Sequence, residues 1–541
     1  MRPLTVDTGK SKKIIETMDS GSEQRAPQVC SHCKSIKKGC DKRLPSCSQC
    51  LKRRAVCRYG EPSEPRRYGD EVANSIPAID SSSSPSTWTS IPRPVLGRLN
   101  PSMRVSILLM NSMSEMIQAS VLEPNVSQSV ISTDAIFQSQ VYHIIRADDH
   151  YIEDVVNRYF NGVHTWIPII SRKRFVDRFR IQNIIPTADF SILLLVMRLL
   201  AQFPSPDPDI DQEREILYLA TKTLFTQVQP FVPISLALVQ AGILLSRYEQ
   251  AHGMIDAAYI TCGTASRMAF TLNLHNAGCS TALQGSDNWL DEEQALSTWW
   301  GLVICDRTIA YDSRMEGRPL ATRSIREEEY LPLEAEEMAG TAPVMSPRYR
   351  YFVSATTLLN IGTFGRECQS TYILEKAQTA IQDPNFNQDK LMTLGLEMQS
   401  LLSTVMNQTA GRWGPYHGAT KNLILGMYTL HCAALKSESI RHAETVKATL
   451  DTVTRMVIDI ARAFNASSAD CDLETLAPTI AHIVRCAQQH IATCTDPRIE
   501  RWLRDFEALR RMLGFFAGRW LGAAHELRVI NQTADSVLSR R

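Results

Sequence analysis

The 541-residue chain lacks the features that mark several common classes of protein. Its best apolar candidate, 190–200, is short and carries Arg198, so we expect no membrane span. The first 29 residues are polar and hold no apolar region typical of a secretory signal. The short motifs of nucleotide-binding enzymes, serine hydrolases and zinc proteases are also missing. We therefore predict a protein that is not an enzyme, with no catalytic residues.

The chain also has almost no net charge, because 58 Lys and Arg balance 57 Asp and Glu to give +1. The balance is uneven along the chain. Residues 1–67 hold 16 basic and 7 acidic side chains, whereas residues 68–541 hold 42 and 50. A basic segment joined to an acidic body indicates that the basic segment binds nucleic acid.

Six of the fourteen cysteines lie close together in the basic segment. Their spacing is Cys-x2-Cys-x6-Cys-x6-Cys-x2-Cys-x6-Cys, formed by Cys30, Cys33, Cys40, Cys47, Cys50 and Cys57. The first three recur seventeen residues later as the last three, so the segment is an internal repeat. The other eight cysteines are scattered. This pattern favours a reducing compartment in which clustered thiols bind metal instead of forming disulfides.

The number of cysteines limits how metal can be bound. Zinc takes four ligands in a tetrahedron, so six thiolates satisfy two zinc ions only if two sulfurs bridge them. The pseudo-twofold symmetry of the repeat favours that arrangement, and we predict two Zn²⁺ ions as cofactors. A unit as short as 30–58 has almost no apolar core, so metal must supply its folding energy.

The charges around the cysteines favour a nucleic-acid partner independently. Residues 30–58 contain nine basic side chains and one acidic side chain. Six thiolates and two zinc ions would leave about six positive charges on the module, which suits binding to phosphates with strong salt dependence. A structural zinc knuckle that binds protein, or a metal store, is the alternative, but a store needs no lysines between its thiolates.

These residues resemble the fungal binuclear zinc-cluster, or Zn(II)2Cys6, transcription factors. Beyond the cysteines, the resemblance includes Lys34, Lys37, Asp41 and Pro45. It implies that Cys30 and Cys47 occupy the bridging positions. It also implies that the short helix following Cys33 enters the major groove of double-stranded DNA.

The resemblance assigns DNA-contacting roles to single residues. It places Lys37 at the base-reading position, over a CGG-like half-site, and Lys34 and Lys42 at phosphate-contacting positions. Two positions depart from the family pattern, since Ile36 and Gly39 stand where Lys or Arg is usual. These two differences affect which DNA sequence the module recognises. The predicted DNA contacts are Lys34, Lys37, Lys38, Lys42, Arg43, Lys52, Arg53 and Arg54.

The rest of the chain is predicted to be all-α. Apolar residues recur at helical spacing from about residue 103, and alternating β patterns are scarce. The predicted helices cover 148–162, 188–202, 211–228, 234–251, 254–275, 288–313, 347–370, 388–412, 418–439, 443–465, 473–493 and 499–521. Several segments resemble the regulatory, or middle homology, domain of fungal transcription factors. They include 159–164, 166–170 with Phe175, 248–250, 257–259, 267–269, 272–275, 299–300, 305–307 and 317–319.

Composition and pattern divide the chain into five regions. Residues 75–102 hold eight serines and five prolines with three charges, which is typical of a linker. The predicted regions are a disordered 1–25, a DNA-binding Zn(II)2Cys6 domain at 26–60, a flexible linker at 61–101, a dimerisation helix at 102–124 and an all-α regulatory domain at 145–525.

Several residues of the body are predicted to be structural. Trp299 and Trp300 are expected in the core, and Asp306 and Arg307 in an interhelical ion pair or cap. The other predictions are hydrogen-bonded structural histidines at His164 and His275, buried scattered cysteines, and a solvated loop at 327–337, for which an activation surface is the alternative.

Together these features predict a nuclear, zinc-dependent, sequence-specific regulator of RNA polymerase II transcription. Its expected partners are double-stranded DNA, the transcription machinery and a second copy of the chain, with no membrane. Residues 251–258 look similar to regulators of dedicated fungal pathways, including secondary-metabolite clusters. The alternative is a zinc-dependent interaction scaffold that does not read DNA itself, and a weaker one is an enzyme in the helical body.

Overall fold

The computed structural model describes most of the cysteine-rich segment and most of the helical body. The described residues are 26, 28–35, 38–44, 46–53, 57, 105, 132–147, 152–182, 185, 187–202, 208–278, 289–312, 315, 317–334, 350–409, 416–437, 443–468, 471–494 and 500–538. The chain divides into two compact units, Met1–Ser90 and Ile91–Arg541.

The described residues of the first unit form two short helices, α1 (Ser31–Ser35) and α2 (Ser48–Arg53). Helices of five and six residues are too short to be stable alone in water. The buried side chains that hold them together are the thiols of Cys30, Cys33, Cys47 and Cys50. The described part of this unit is therefore built around sulfur atoms and not around an apolar core.

The second unit contains helices throughout its described residues. They are α3 (Thr133–Ala147), α4 (Ile152–Asn161), α5 (Arg172–Gln182), α6 (Ala188–Leu200), α7 (Pro208–Val228), α8 (Leu236–Ala251), α9 (Ile255–Thr271), α10 (Trp289–Ala310), α11 (Thr363–Gln382), α12 (Gln388–Thr409), α13 (His417–Lys436), α14 (Ala443–Ser467), α15 (Ala481–Cys494), α16 (Glu500–Ala517) and α17 (Leu521–Leu538). An isolated antiparallel bridge joins Tyr330 and Phe352. The all-α prediction is confirmed.

Helix α8 shows how the body buries its helices. Ser235 caps it, with its side-chain oxygen accepting a hydrogen bond from the backbone N–H of Leu238 at 3.3 Å. Every residue from Ala237 to Ala251 is buried, because α8 packs against α6, α9 and α10. A helix buried on all sides belongs in the core of a large domain, and α8 buries polar side chains such as Gln240, Arg247 and Glu249 together with its apolar ones.

The two central tryptophans confirm the core prediction. Trp299 is 2% exposed and Trp300 is fully buried, both on α10. Nearby, Arg307 donates to a carboxylate oxygen of Glu375 on α11 at 2.7 Å, so the interhelical ion pair is confirmed. Asp306 accepts from the backbone N–H groups of Ala321 and Thr322 at 3.1 and 2.9 Å, which fixes the following loop.

Several predicted helix bounds are wrong, and the 347–370 helix shows why. The chain at 350–362 is not helical, and α11 begins only at Thr363. Glu334 accepts hydrogen bonds from the backbone N–H groups of Phe364 and Gly365 at 3.3 and 3.1 Å. A carboxylate at a helix N-terminus satisfies free N–H groups and favours the helix dipole, so this distant acid sets where α11 begins.

Other helix predictions fail for local reasons. The predicted helix 473–493 is interrupted by two 3₁₀ turns, with Pro478 opening the second, so α15 begins at Ala481. Helices α3 and α5 were not predicted, and α17 continues the chain after α16 ends at Ala517. The predicted dimerisation helix lies outside the described residues, apart from the helical Val105.

The remaining structural predictions are correct only in part. Cys262, Cys305 and Cys368 are buried as expected, but Cys432 is exposed. The described part of 327–337 is not a simple solvated loop, since Glu334 caps α11 and Glu329 pairs with Arg323.

The two histidines differ from each other, and the prediction of a hydrogen-bonded ring holds for His275, whose Nε2 lies 3.1 Å from the side-chain nitrogen of Asn276. The ring Nδ1 atoms of His164 and His275 are buried without a hydrogen-bond partner. The His164 ring instead packs at 5.0 Å from that of Phe160.

Candidate metal centre and nucleic-acid interface

Four thiols form the centre of the first unit. The sulfur atoms of Cys30, Cys33, Cys47 and Cys50 all lie within 4.8 Å of one another and are buried. Cys30 Sγ is 3.8 Å from Cys47 Sγ and 3.7 Å from Cys50 Sγ, and Cys33 Sγ is 3.6 Å from Cys47 Sγ. Sulfurs gathered this closely are suited to binding a soft or borderline divalent metal such as zinc.

The internal repeat of the sequence is also a repeat of structure. Cys30 and Cys47 each stand one residue before a helix, and each sulfur accepts a backbone N–H bond at 3.4 Å, from Cys33 and Cys50 respectively. The two carbonyl oxygens accept bonds at 3.0 Å from Lys34 N and Leu51 N. The two halves therefore present their first thiol in the same way.

Each of the remaining two cysteines lies close to the first cysteine of the other repeat. Cys40 Sγ lies within 4.8 Å of Cys47 Sγ. Cys57 Sγ interacts with the Cys30 thiol and accepts the backbone N–H of Cys47 at 3.2 Å. Cys30 and Cys47 thus each have sulfurs from both repeats around them, which is the environment that a bridging ligand requires.

The pKa values of the thiols differ with their surroundings. Burial raises the pKa of Cys33 to about 12, which favours the neutral thiol in the absence of a cation. Burial alone would also raise the pKa of Cys40. Backbone hydrogen bonds from Cys30 and Lys42 outweigh this effect and lower the pKa of that thiol to about 7. A bound divalent cation stabilises thiolates and reverses the effect of burial.

Asp41, the one acidic residue of 30–58, positions the second helix. Its carboxylate accepts the backbone N–H of Ser48 at 3.0 Å and also the Ser48 hydroxyl. These hydrogen bonds lower the pKa of Asp41, with the Ser48 side chain contributing most. The sequence pattern identified Asp41 only as a family residue, and its capping contact was not predicted.

The turn between the halves has two further features. Lys42 has a left-handed backbone, with φ of 59°. Its carbonyl oxygen accepts the backbone N–H of the buried Ala26 at 2.8 Å, which ties the chain before the cluster to this turn. Left-handed backbone is uncommon for residues other than glycine, so no simple sequence signal indicates it.

The predicted DNA-contacting residues are arranged around the sulfur centre. Lys34 is exposed on α1, Lys52 and Arg53 are exposed on α2, and Lys38 and Arg43 are exposed between them. Lys42 is half-buried, and Arg43 Nε lies 3.9 Å from Asp41. Lys37 and Arg54 lie outside the described residues. The described cations therefore lie in both repeats, where they can contact phosphates.

Both units match known families. Residues 28–66 match the fungal Zn(2)-Cys(6) binuclear cluster domain. Residues 156–324 match the fungal specific transcription factor domain. No solved structure matches the chain.

Three curated fungal proteins are similar to parts of the chain. Transcription factor BOA15 of Botryotinia fuckeliana is 32% identical over 148 residues, covering 27% of this chain and 80% of that protein. The asperfuranone cluster transcription factor afoA of Emericella nidulans is 27% identical, covering 28% and 26%. The tropolone cluster transcription factor tropK of Talaromyces stipitatus is 22% identical, covering 55% and 58%.

The sulfur centre, the basic residues around it and the helical body define a zinc-dependent DNA-binding regulator. The chain belongs to the fungal Zn(II)2Cys6 transcription factors. Within the described residues, no helix combines the length and the apolar character needed to cross a membrane.

Proposed function

We propose that this protein is a nuclear regulator of a dedicated biosynthetic gene cluster, transcribed by RNA polymerase II. The observation that carries the proposal is a two-repeat thiol centre with basic residues around it, joined in one chain to a fungal regulatory domain. Two of its relatives are named as regulators of the asperfuranone and tropolone clusters. The matches span only 26% and 58% of those proteins, so the target genes of this chain do not follow from those of its relatives.

The proposed metal content is two Zn²⁺ ions that share the Cys30 and Cys47 thiolates. One ion also takes Cys33 and Cys40, and the other takes Cys50 and Cys57. The close approach of Cys33 to Cys47 and of Cys50 to Cys30 supports this division. Each ion would then have four sulfur ligands, which zinc prefers in structural sites.

The proposed reading of DNA separates specific from non-specific contacts. Lys37 contacts base edges in the major groove, where a basic side chain that donates to guanine O6 and N7 contributes roughly 1–3 kcal/mol of discrimination. Lys34, Lys38, Lys42, Arg43, Lys52, Arg53 and Arg54 bind phosphates and hold the module in register. We propose CGG-like half-sites, read by two copies of the chain.

The function is tested by selecting DNA sites in vitro with the full-length zinc-loaded protein. We expect enrichment of one short G/C-containing half-site, and occupancy of that site in the promoters of one co-located gene set in the fungus. The control is the Cys47→Ser variant, which should enrich no site. Equal binding to all sequences would favour the alternative, a zinc-dependent interaction scaffold without its own DNA reading.

A further inference from the structure

A cavity of about 300 Å³ lies inside the helical body. Its wall combines the end of α8, the start of α9, the turn before α15 and the start of α17. Polar side chains that line it include Gln250, His252, Asp312, His482, Arg485 and Glu526. The volume is at the lower end of the range found for small-molecule sites in proteins.

Three side chains of this wall have buried polar atoms without a hydrogen-bond partner. Gln250 is 5% exposed, and its Oε1 accepts from Arg247 at 2.9 Å, which fixes the orientation of the amide. Gln250 Nε2 then has no partner, and neither do the Nδ1 atoms of His252 and His482. Buried polar atoms left unpaired cost free energy, and an occupant that pairs with them, above all one whose acceptor atoms meet the Gln250 amide, recovers it.

Three helices begin at the cavity. Ile255, Ala481 and Leu521 line it, and they are the first residues of α9, α15 and α17. A side chain at Gly522 would place its Cβ 2.6 Å from the carbonyl oxygen of Ala251, so glycine allows α17 to start against the end of α8. Helix N-termini carry positive dipole ends, which favour an anion, although the backbone N–H of Ala481 is already bonded to the carbonyl oxygens of Pro478 and Thr479.

Cations lie near the two imidazoles of the wall. Burial lowers the pKa of His252 to about 3, and the nearby Arg214 and Arg519 contribute to the same shift. Burial also lowers the pKa of His482 to about 3, assisted by Arg485 and Lys421 and opposed by Asp312. Both imidazoles are therefore neutral at pH 7 and lie among cations.

The acidic side chains of the wall give the site a second recognition element. Glu526 pairs with Arg485 at 3.1 Å, and Asp312 is 4% exposed. Carboxylates accept hydrogen bonds from hydroxyl groups, which an occupant can carry beside its own negative charge.

We propose that this cavity binds a small hydroxylated carboxylic acid as an effector of the regulatory body. The carboxylate is received by Gln250 Nε2, the two imidazoles and the helix N-termini, while Asp312 and Glu526 accept from its hydroxyl groups. The proposal is independent of the DNA-reading function, because the cavity lies wholly within residues 250–528.

The test is a calorimetric titration of the full-length zinc-loaded protein with L-malate and with citrate. We expect at least one of the acids to bind at one site per chain and to raise the melting temperature, because a ligand of the folded state stabilises it. Dimethyl malate, which has no ionised carboxylate, should bind at least about tenfold more weakly than malate.

Two matched variants locate the site. Gln250→Glu keeps the size of the side chain and an acceptor for Arg247, but it replaces the donor with a negative charge. We expect acid binding to weaken at least about tenfold. Gln399→Glu makes the same change at an exposed position of α12 and should bind as the natural protein does.

A further substitution tests whether binding needs the empty volume of the cavity. Ala523 lines the cavity and is 2% exposed, so Ala523→Leu should fill the space and abolish binding, which decides the question if Gln250→Glu does not fold. Three results would overturn the proposal. They are no binding of either acid at about 10 mM, equal binding of the dimethyl ester, and undiminished binding by a folded Gln250→Glu or Ala523→Leu protein.

Discussion

The two units of this protein are stabilised in opposite ways. In the described part of 26–57, the buried side chains are four thiols and Ala26, and the helices have five and six residues. In the helical body, long helices bury Leu, Ile, Val, Phe and Trp side chains in one continuous core. The first unit therefore depends on a metal for its fold, whereas the second depends on apolar packing.

Loss of metal should give the largest difference between the units. A chelator, or the Cys40→Ala substitution, is expected to unfold 26–57 and abolish specific DNA binding, because the short helices have no other core. The helical circular dichroism and thermal unfolding of the body should not change. Cys432→Ala, at an exposed body cysteine, is the matched control. A folded, DNA-binding Cys40→Ala protein would refute the six-thiolate scheme.

Breaking a buried ion pair should affect only the body. Arg307 is fully buried and pairs with Asp306 and Glu375 at 2.8 and 2.7 Å. We expect Arg307→Met to lower the free energy of unfolding by about 3–5 kcal/mol, because it leaves buried carboxylates without their cation.

The measurement is urea unfolding followed by circular dichroism, with zinc content determined in parallel. Arg318→Met is the control, because Arg318 forms an exposed pair with Asp256 and should cost under about 1 kcal/mol. Equal destabilisation by both substitutions would contradict the account of the buried ion pair, and loss of zinc in Arg307→Met would contradict the independence of the two units.

Within the DNA-binding unit, two lysines should separate base reading from phosphate binding. Lys37→Ala is expected to weaken binding to the selected site by roughly 1–3 kcal/mol and non-specific binding much less. Lys34→Ala should weaken both equally and reduce the salt dependence. Fluorescence anisotropy with specific and scrambled duplexes at several salt concentrations measures both effects. Equal losses on both duplexes for Lys37→Ala would make Lys37 a phosphate contact.

Acid should weaken the body through its buried histidines. Burial lowers the pKa of His164 to about 4 and that of His482 to about 3. Below a pH of about 6.5 the unfolded chain takes up protons that the folded state does not, so each histidine removes about 1.4 kcal/mol of stability per pH unit.

This loss of stability continues as the pH falls to the folded-state pKa values. Urea unfolding between pH 7 and 4.5 measures the slope, and His164→Gln should reduce it by the contribution of one proton. A slope that His164→Gln leaves unchanged would show that His164 ionises normally in the folded body.

The two units also differ in how far their sequence predicts them. The six cysteine positions mark a candidate metal centre because metal ligation demands specific side chains at short, regular spacing. The start of α11 could not be predicted, since Glu334, which caps it, lies outside the helix it begins. The cavity was equally hidden, because Gln250, His482 and Glu526 come from distant segments and carry no shared motif.

The number of zinc ions bound per chain tests the central claim most directly. Native mass spectrometry of the full-length protein should show two zinc ions, and Cys47→Ser should bind neither stably, because both ions share that sulfur. A single zinc ion, held by the four buried thiols alone, would contradict the bridged six-thiolate centre.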